Sequence, residues 1–286
     1  MRVQCFPVLI GRRVVALFWL FLLTGVLVAA LVYAPIRRYR HSRALAEQPL
    51  PASWQQWLQD RWWLYPYLPE PVRLNLHRQL QVMLAHTRFY GCNGLTVTEP
   101  MRVLTLAQAA LMNAGEGCMQ WSGFPVVLLY PEAFVREGEV VDELGLVAYE
   151  RQELLGESWE QGKVVLSWAD IEQDLRGEDS HCLVIHEYAH QLDGYDGVMD
   201  GTPPLRDPQS VQRWADIMSA AFDDVSQSNS ESAQMIDSYA ATNPEEFFSV
   251  ICETFFVRPE TLYYAYPLVY RELKQLFHLD PFLWVR

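Results

Sequence analysis

The chain has 286 residues, half of them hydrophobic, with 22 Lys and Arg against 35 Asp and Glu. A formal charge of −13 excludes nucleic-acid binding, which needs a basic footprint, and the length provides one sizeable core plus attachments. The charge is uneven: residues 1–43 hold seven Arg (Arg2, Arg12, Arg13, Arg37, Arg38, Arg40, Arg43) and no acid, so the remainder carries about −20.

In chain order, residues 1–13 form a short basic tail. Val14 to Ala34 is an uncharged run, VVALFWLFLLTGVLVAALVYA. As a helix it is long enough to cross a hydrocarbon core about 30 Å thick. It exceeds the apolar stretch of a signal peptide, about 7–15 residues, and Pro35 spoils cleavage after Ala34. The expectation is a single-pass transmembrane helix in the inner (plasma) membrane. Arg residues flank it on both sides, so the positive-inside rule leans only slightly. The five cysteines (Cys5, Cys92, Cys118, Cys182, Cys252) offer no paired framework, which favours a cytoplasmic location for the domain that follows the run.

Residues 35–53 read as a basic juxtamembrane segment and linker, and residues 54–286 as the main globular domain. Trp54 to Arg88 reads as two helices broken at Pro66, Pro69 and Pro71. Its aromatic residues Trp54, Trp57, Trp62, Trp63, Tyr65 and Tyr67 suit either core packing or a membrane interface. Gly91 to Gly94 is a turn, Thr105 to Asn113 a helix and Pro125 to Tyr130 a strand. Tyr149 to Leu155 and Lys163 to Ser167 are strands around a turn at Gly156. Val164 to Trp168 is the candidate edge strand for pairing with an extended substrate. Asp170 to Asp179 is a polar lead-in, Val211 to Val225 an amphipathic helix, and Thr261 to Phe277 a last helix or helix pair.

The chemistry concentrates at Val184 to Asp193, VIHEYAHQLD. His186 and His190, four apart, share one face of a helix. They can reach one zinc ion, with Glu187 beside them to take a proton from the metal's water. The third ligand stays open. Asp196 stands where HExxHxxGxxH/D patterns place theirs, but their glycine falls on Asp193 here and Gly194 comes one residue late. Glu246 follows a clear helix start, with Asn243 as N-cap and Pro244 in the first turn; it could equally be a capping-box residue reaching back to Asn243. Glu253, two turns further on, is either a partner for a histidine ligand or a solvated residue. Asp193 either orients a histidine or ends the helix. His181 reads as a helix-start residue rather than a ligand.

HEYAHQLD followed by SYAATNPEEFF resembles the MtfA-like zinc peptidases, the Mlc titration factor A family. The likeness extends upstream through FYGCNGLTVTEPM (Phe89 to Met101), Arg102-Val103, Ala107-Gln108-Ala109, VLLYPEAFV (Val127 to Val135), GESW (Gly156 to Trp159) and VVLSW (Val164 to Trp168). It covers roughly residues 54 to 270, leaving out the hydrophobic run. The sequence is also similar to the catalytic domain of anthrax lethal factor, where a tyrosine lies seven residues before the glutamate ligand. The resemblance implies a predominantly helical α+β, zincin-like (gluzincin) domain with one zinc ion on His186, His190 and Glu246. It implies Glu187 as general base, Tyr239 as hydroxyl donor to the oxyanion, and a peptide or protein as substrate. The family's namesake also implies a rival role, sequestering a transcriptional repressor with zinc as a structural element.

Overall fold

The computed structural model describes residues 40–284 apart from 118–125, 133, 142–146, 155, 160–162, 179–180, 206 and 229; before residue 40 it describes only 19, 22–24, 26, 33 and 37. The basic tail and most of the expected span at Val14 to Ala34 therefore lie outside the described residues. Among the described residues no helix is long and apolar enough to cross a membrane. The chain divides into two compact units, Met1–Gln48 and Pro49–Arg286. The second starts five residues before Trp54 because Leu50 is already buried and Pro51 is the N-cap of the first helix.

Helices α1 (Ala52–Arg61) and α2 (Glu70–His86) flank a short 3₁₀ turn, Tyr65–Tyr67, and Pro69 and Pro71 start α2. Trp62 and Tyr65 are buried, while Trp54, Trp57 and Trp63 pack against the core. Most of the aromatic cluster thus belongs to the interior; Tyr67 stays exposed. Helix α3 runs from Glu99 to Met112, six residues earlier than expected, because Thr98 caps it and Pro100 fits its first turn. Every residue from Val103 to Met112 is buried, as befits a helix covered on all sides.

The four-stranded sheet has the order β1 (Arg88–Gly91), β2 (Val126–Tyr130), β6 (Lys163–Ser167), β5 (Gly156–Trp159). The first three are parallel and β5 is antiparallel to β6. Val127 pairs with Val164 and Leu129 with Leu166, all four fully buried. This corrects the edge-strand expectation: Val164 to Ser167 is an inner strand, and Trp168 already belongs to the next helix. Such an unbroken apolar run suits a strand covered on both faces. The edge beside it is β5, which begins at Gly156, where a turn was expected. A separate hairpin pairs β3 (Phe134–Val141) with β4 (Val147–Leu154).

The polar lead-in folds as α4 (Trp168–Arg176), capped by Ser167. Gly177 ends it with φ 70°, and a Cβ there would lie 2.6 Å from the Trp63 ring. Both facts require glycine at the bend into α5 (Leu183–Asp193). Then follow α6 (Pro208–Gln227), capped by Asp207, and α7 (Pro244–Val257). The last expected element is a helix pair, α8 (Pro259–Ala265) and α9 (Pro267–Phe277), broken at Tyr266. α5 packs between α3 and α7. Phe255 and Phe256 of α7 pack on Phe277, with ring centroids 5.8 and 5.2 Å away. The result is a predominantly helical α+β domain with a small, mostly parallel sheet.

Candidate active site

Helix α5 is held from both ends and from its back. Its N-cap residue, Cys182, provides no side-chain cap, so neighbouring helices supply carboxylates. Leu183 N–H donates to Asp174 Oδ2 of α4 at 2.8 Å, and Cys182 N–H to Glu253 Oε2 of α7 at 2.7 Å. Both satisfy backbone donors at the positive end of the helix. At the back, Asn113 Nδ2 donates to Tyr188 Oη at 2.8 Å. At the C-terminus, Asp193 accepts from the backbone N–H groups of Gly201, Thr202 and Asp200 at 3.0, 2.9 and 3.4 Å. Asp193 therefore ties the following loop to the helix end.

The face turned toward α7 carries His186, Glu187 and His190, of which Glu187 and His190 are buried. The two histidine Nε2 atoms lie 3.1 Å apart, and Glu246 Oε2 lies 3.0 Å from the first and 3.3 Å from the second. Glu246 can reach them because Asn243 accepts from its backbone N–H at 2.8 Å, leaving the Glu246 carboxylate free of capping work. The three ligand atoms fall within 4.8 Å of one another, a group able to hold a metal ion. Ligands about 2.0–2.1 Å from a tetrahedral zinc stand about 3.3 Å apart, so this donor set fits zinc. The other candidate, Asp196, is exposed; its Oδ1 accepts from Val198 N–H at 3.0 Å, and it is not in the group.

Glu253 approaches His186 from the opposite side, with Oε1 2.7 Å from Nδ1. That contact turns Nε2 toward Glu246 and His190. Glu187 is buried, and its Oε2 has no hydrogen-bond partner among the described residues. Burial pushes its carboxyl up to about 7, against the pull of His186 and His190. For His186, burial works downward but Glu246 and Glu253 outweigh it, raising the imidazole to about 10. Glu246 moves the other way: burial opposes ionisation, yet the two histidines hold it well below the usual carboxylate range.

Tyr239 lies on the 3₁₀ turn Ser238–Ala241, with its ring centroid 6.0 Å from that of His186. Burial, then the Glu246 charge, pushes its hydroxyl up to about 12, so it keeps its proton at neutral pH. Asp237 caps the turn by accepting from Tyr239 N–H at 2.8 Å. Sequence reasoning passed over Asp237, although an Asp two residues ahead of a turn residue is an Asx-cap signal. It also passed over Asp174, whose role depends on a helix packed from elsewhere and leaves no local trace.

Residues 36–278 match the family described as glucose-regulated metallo-peptidase M90. The chain belongs to this family of metallopeptidases. It is 36% identical over 250 residues to an uncharacterized protein of Synechocystis sp., covering 84% of this chain and 89% of that protein. It is also 36% identical to Mlc titration factor A of Yersinia pestis over 221 residues, 75% of this chain and 80% of the relative. With Mlc titration factor A of Escherichia fergusonii it shares 36% over 192 residues, 66% and 72% of the two chains.

Proposed function

We propose that this metallopeptidase is a gluzincin that hydrolyses peptide bonds with one zinc ion on His186, His190 and Glu246. The observation that carries the reading is the meeting of two imidazole nitrogens and one carboxylate oxygen beside the buried Oε2 of Glu187, which has no partner among the described residues. Bound there, zinc supplies a Lewis acid that acidifies water and polarises the scissile carbonyl. Glu187 takes the water's proton and passes it to the leaving amine, a task suited to a carboxyl raised to about 7. Glu253 keeps Nε2 of His186 turned to the ion. Tyr239, protonated and half exposed beside His186, donates its hydroxyl to the developing oxyanion. The edge strand β5 offers free backbone groups for pairing with an extended substrate.

In the expected outcome, Glu187→Gln keeps about one zinc per chain and loses hydrolysis, while Tyr239→Phe keeps zinc and loses roughly 10²–10³-fold in kcat. Glu246→Ala loses the metal. Full peptidase activity in Glu187→Gln would remove the mechanism.

The name of the relatives, Mlc titration factor A, motivates a second reading, in which this chain binds a transcriptional regulator and the zinc is structural. A structural site is closed by four protein ligands. The metal group among the described residues has three, and a base beside it serves catalysis, so the peptidase reading leads.

We further propose that Val14 to Ala34 anchors the chain in the inner membrane with the catalytic unit on the cytoplasmic side, on the strength of its 21-residue uncharged run. Full-length protein should stay in the membrane pellet after alkaline carbonate washing and resist external protease in spheroplasts. Release by carbonate would refute the anchor, and digestion in spheroplasts would reverse the orientation.

A further inference from the structure

His181 has no part in the chemistry above, yet both of its ring nitrogens face carboxylates that support it. Nε2 lies 3.4 Å from Asp237 Oδ2, and Nδ1 lies 3.7 Å from Glu253 Oε2. The Asp237 carboxylate caps the turn that carries Tyr239 through its other oxygen. Glu253 holds Nδ1 of His186 through its other oxygen. One imidazole therefore spans two segments, and each contributes a different part to the site.

We propose that His181 is a positioning residue for hydrolysis, bridging Asp237 and Glu253 so that the turn bearing Tyr239 stays in register with the metal site. The turn is anchored on its inner side by the fully buried Ala240 and by Ala241, which packs against the core. The Tyr239 side chain next to it is half in solvent, so its aim depends on what restrains the turn from the side. A hydroxyl donor contributes to catalysis only when aimed at the position the oxyanion will occupy, and small misplacements of a positioned group cost rate. A bridge to two carboxylates needs an N–H on both nitrogens. The surroundings favour that doubly protonated ring: Glu253 first, then Asp237 and Asp174, raise His181 above the ordinary histidine value against its partial burial. Arg258, at the end of α7, lines the same groove as His181, Asp237 and Glu253. His181 is itself half exposed, so its removal leaves no cavity in the core.

The inference rests on the peptidase reading for its catalytic consequence but not for the bridge itself, and two readouts separate them. The full-length, zinc-loaded chain is compared with His181→Ala, Tyr239→Phe and the double variant on a fluorogenic peptide. Deuterium uptake is followed across residues 236–242. The expected result for His181→Ala is a kcat roughly 3–10-fold lower, with KM and zinc content unchanged and faster exchange in that segment. In the Tyr239→Phe background, His181→Ala should change kcat less than about twofold, because the group it positions is gone. Asp237→Asn, which keeps the cap on Tyr239 N–H but removes the charge facing His181, should reproduce the faster exchange. Equal loss of kcat in both backgrounds would overturn the route through Tyr239, and loss of zinc would place the effect on Glu253 instead. Unchanged exchange would overturn the bridge. If the parent holds zinc but cleaves nothing, the peptidase reading fails and the exchange result alone decides the bridge.

Discussion

Glu246 and Glu253 sit two turns apart on α7 and approach opposite nitrogens of one imidazole. Glu246 Oε2 is 3.0 Å from Nε2 of His186, and Glu253 Oε1 is 2.7 Å from Nδ1. The same helical face can serve both jobs because residues seven apart nearly eclipse. The fully buried Glu253 stays ionised despite desolvation because His181, His186 and the Cys182 N–H stabilise its charge. Replacing it with Gln keeps the shape and one acceptor but removes the charge that faces Nδ1 of His186. Zinc affinity should fall about 10–100-fold in Glu253→Gln, measured by competition with a chromophoric chelator. An affinity within twofold of the parent would show that His186 needs no help from this carboxylate. At this scale the sequence was readable where spacing is local. Helical geometry alone places His186, Glu187 and His190 side by side, whereas it takes the fold to bring Glu246, and not Asp196, to the two histidines. The capping-box alternative for Glu246 fails for a specific reason: Asn243 caps the Glu246 backbone, and the Glu246 side chain has turned to the histidines.

Elements whose start signals are local were legible too. Asn243-Pro244-Glu245-Glu246 announces α7, and the apolar spacing of Phe247, Val250, Ile251 and Phe255 continues it. Thr98-Glu99-Pro100 announces α3 just as plainly, but the run of small and apolar residues from Thr105 drew the start too late. The strand error has another cause. Val164 to Leu166 is hydrophobic without alternation, a mark of an inner strand, whereas its neighbour Gly156-Glu157-Ser158-Trp159 is short and polar, as exposed edges tend to be. Sequence position near α5 suggested the wrong one of the pair. Composition marks a strand as inner or edge, but which strands pair is decided by residues far apart in the chain. α5 shows the same limit. Its motif is visible, but the carboxylates that cap it come from α4 and α7, which meet only in the folded chain.

Those long-range meetings set what the metal does for the molecule as a whole. His186 and Glu246 are sixty residues apart in sequence and 3.0 Å apart in space, so an ion on them ties α5 to α7 within the Pro49–Arg286 unit. An ion that binds the native chain and not the unfolded one stabilises it by about 2.7 kcal/mol at a free concentration a hundred times Kd. For a unit of this size each kcal/mol moves Tm by about 2–4 °C, so stripping the zinc with a chelator should lower Tm by roughly 5–10 °C. Glu246→Ala should begin near the stripped value and barely respond to chelator or added zinc. Glu187→Gln should respond like the parent, because that residue is assigned to the water and not to the ion. Scanning calorimetry of the three chains with and without chelator tests both halves at once. An unmoved parent Tm would mean the cluster holds no stabilising ion, and an equal response in Glu246→Ala would mean the ion is held elsewhere. A response lost in both variants would make Glu187 part of the metal's own support, and its role as the free base would have to be given up.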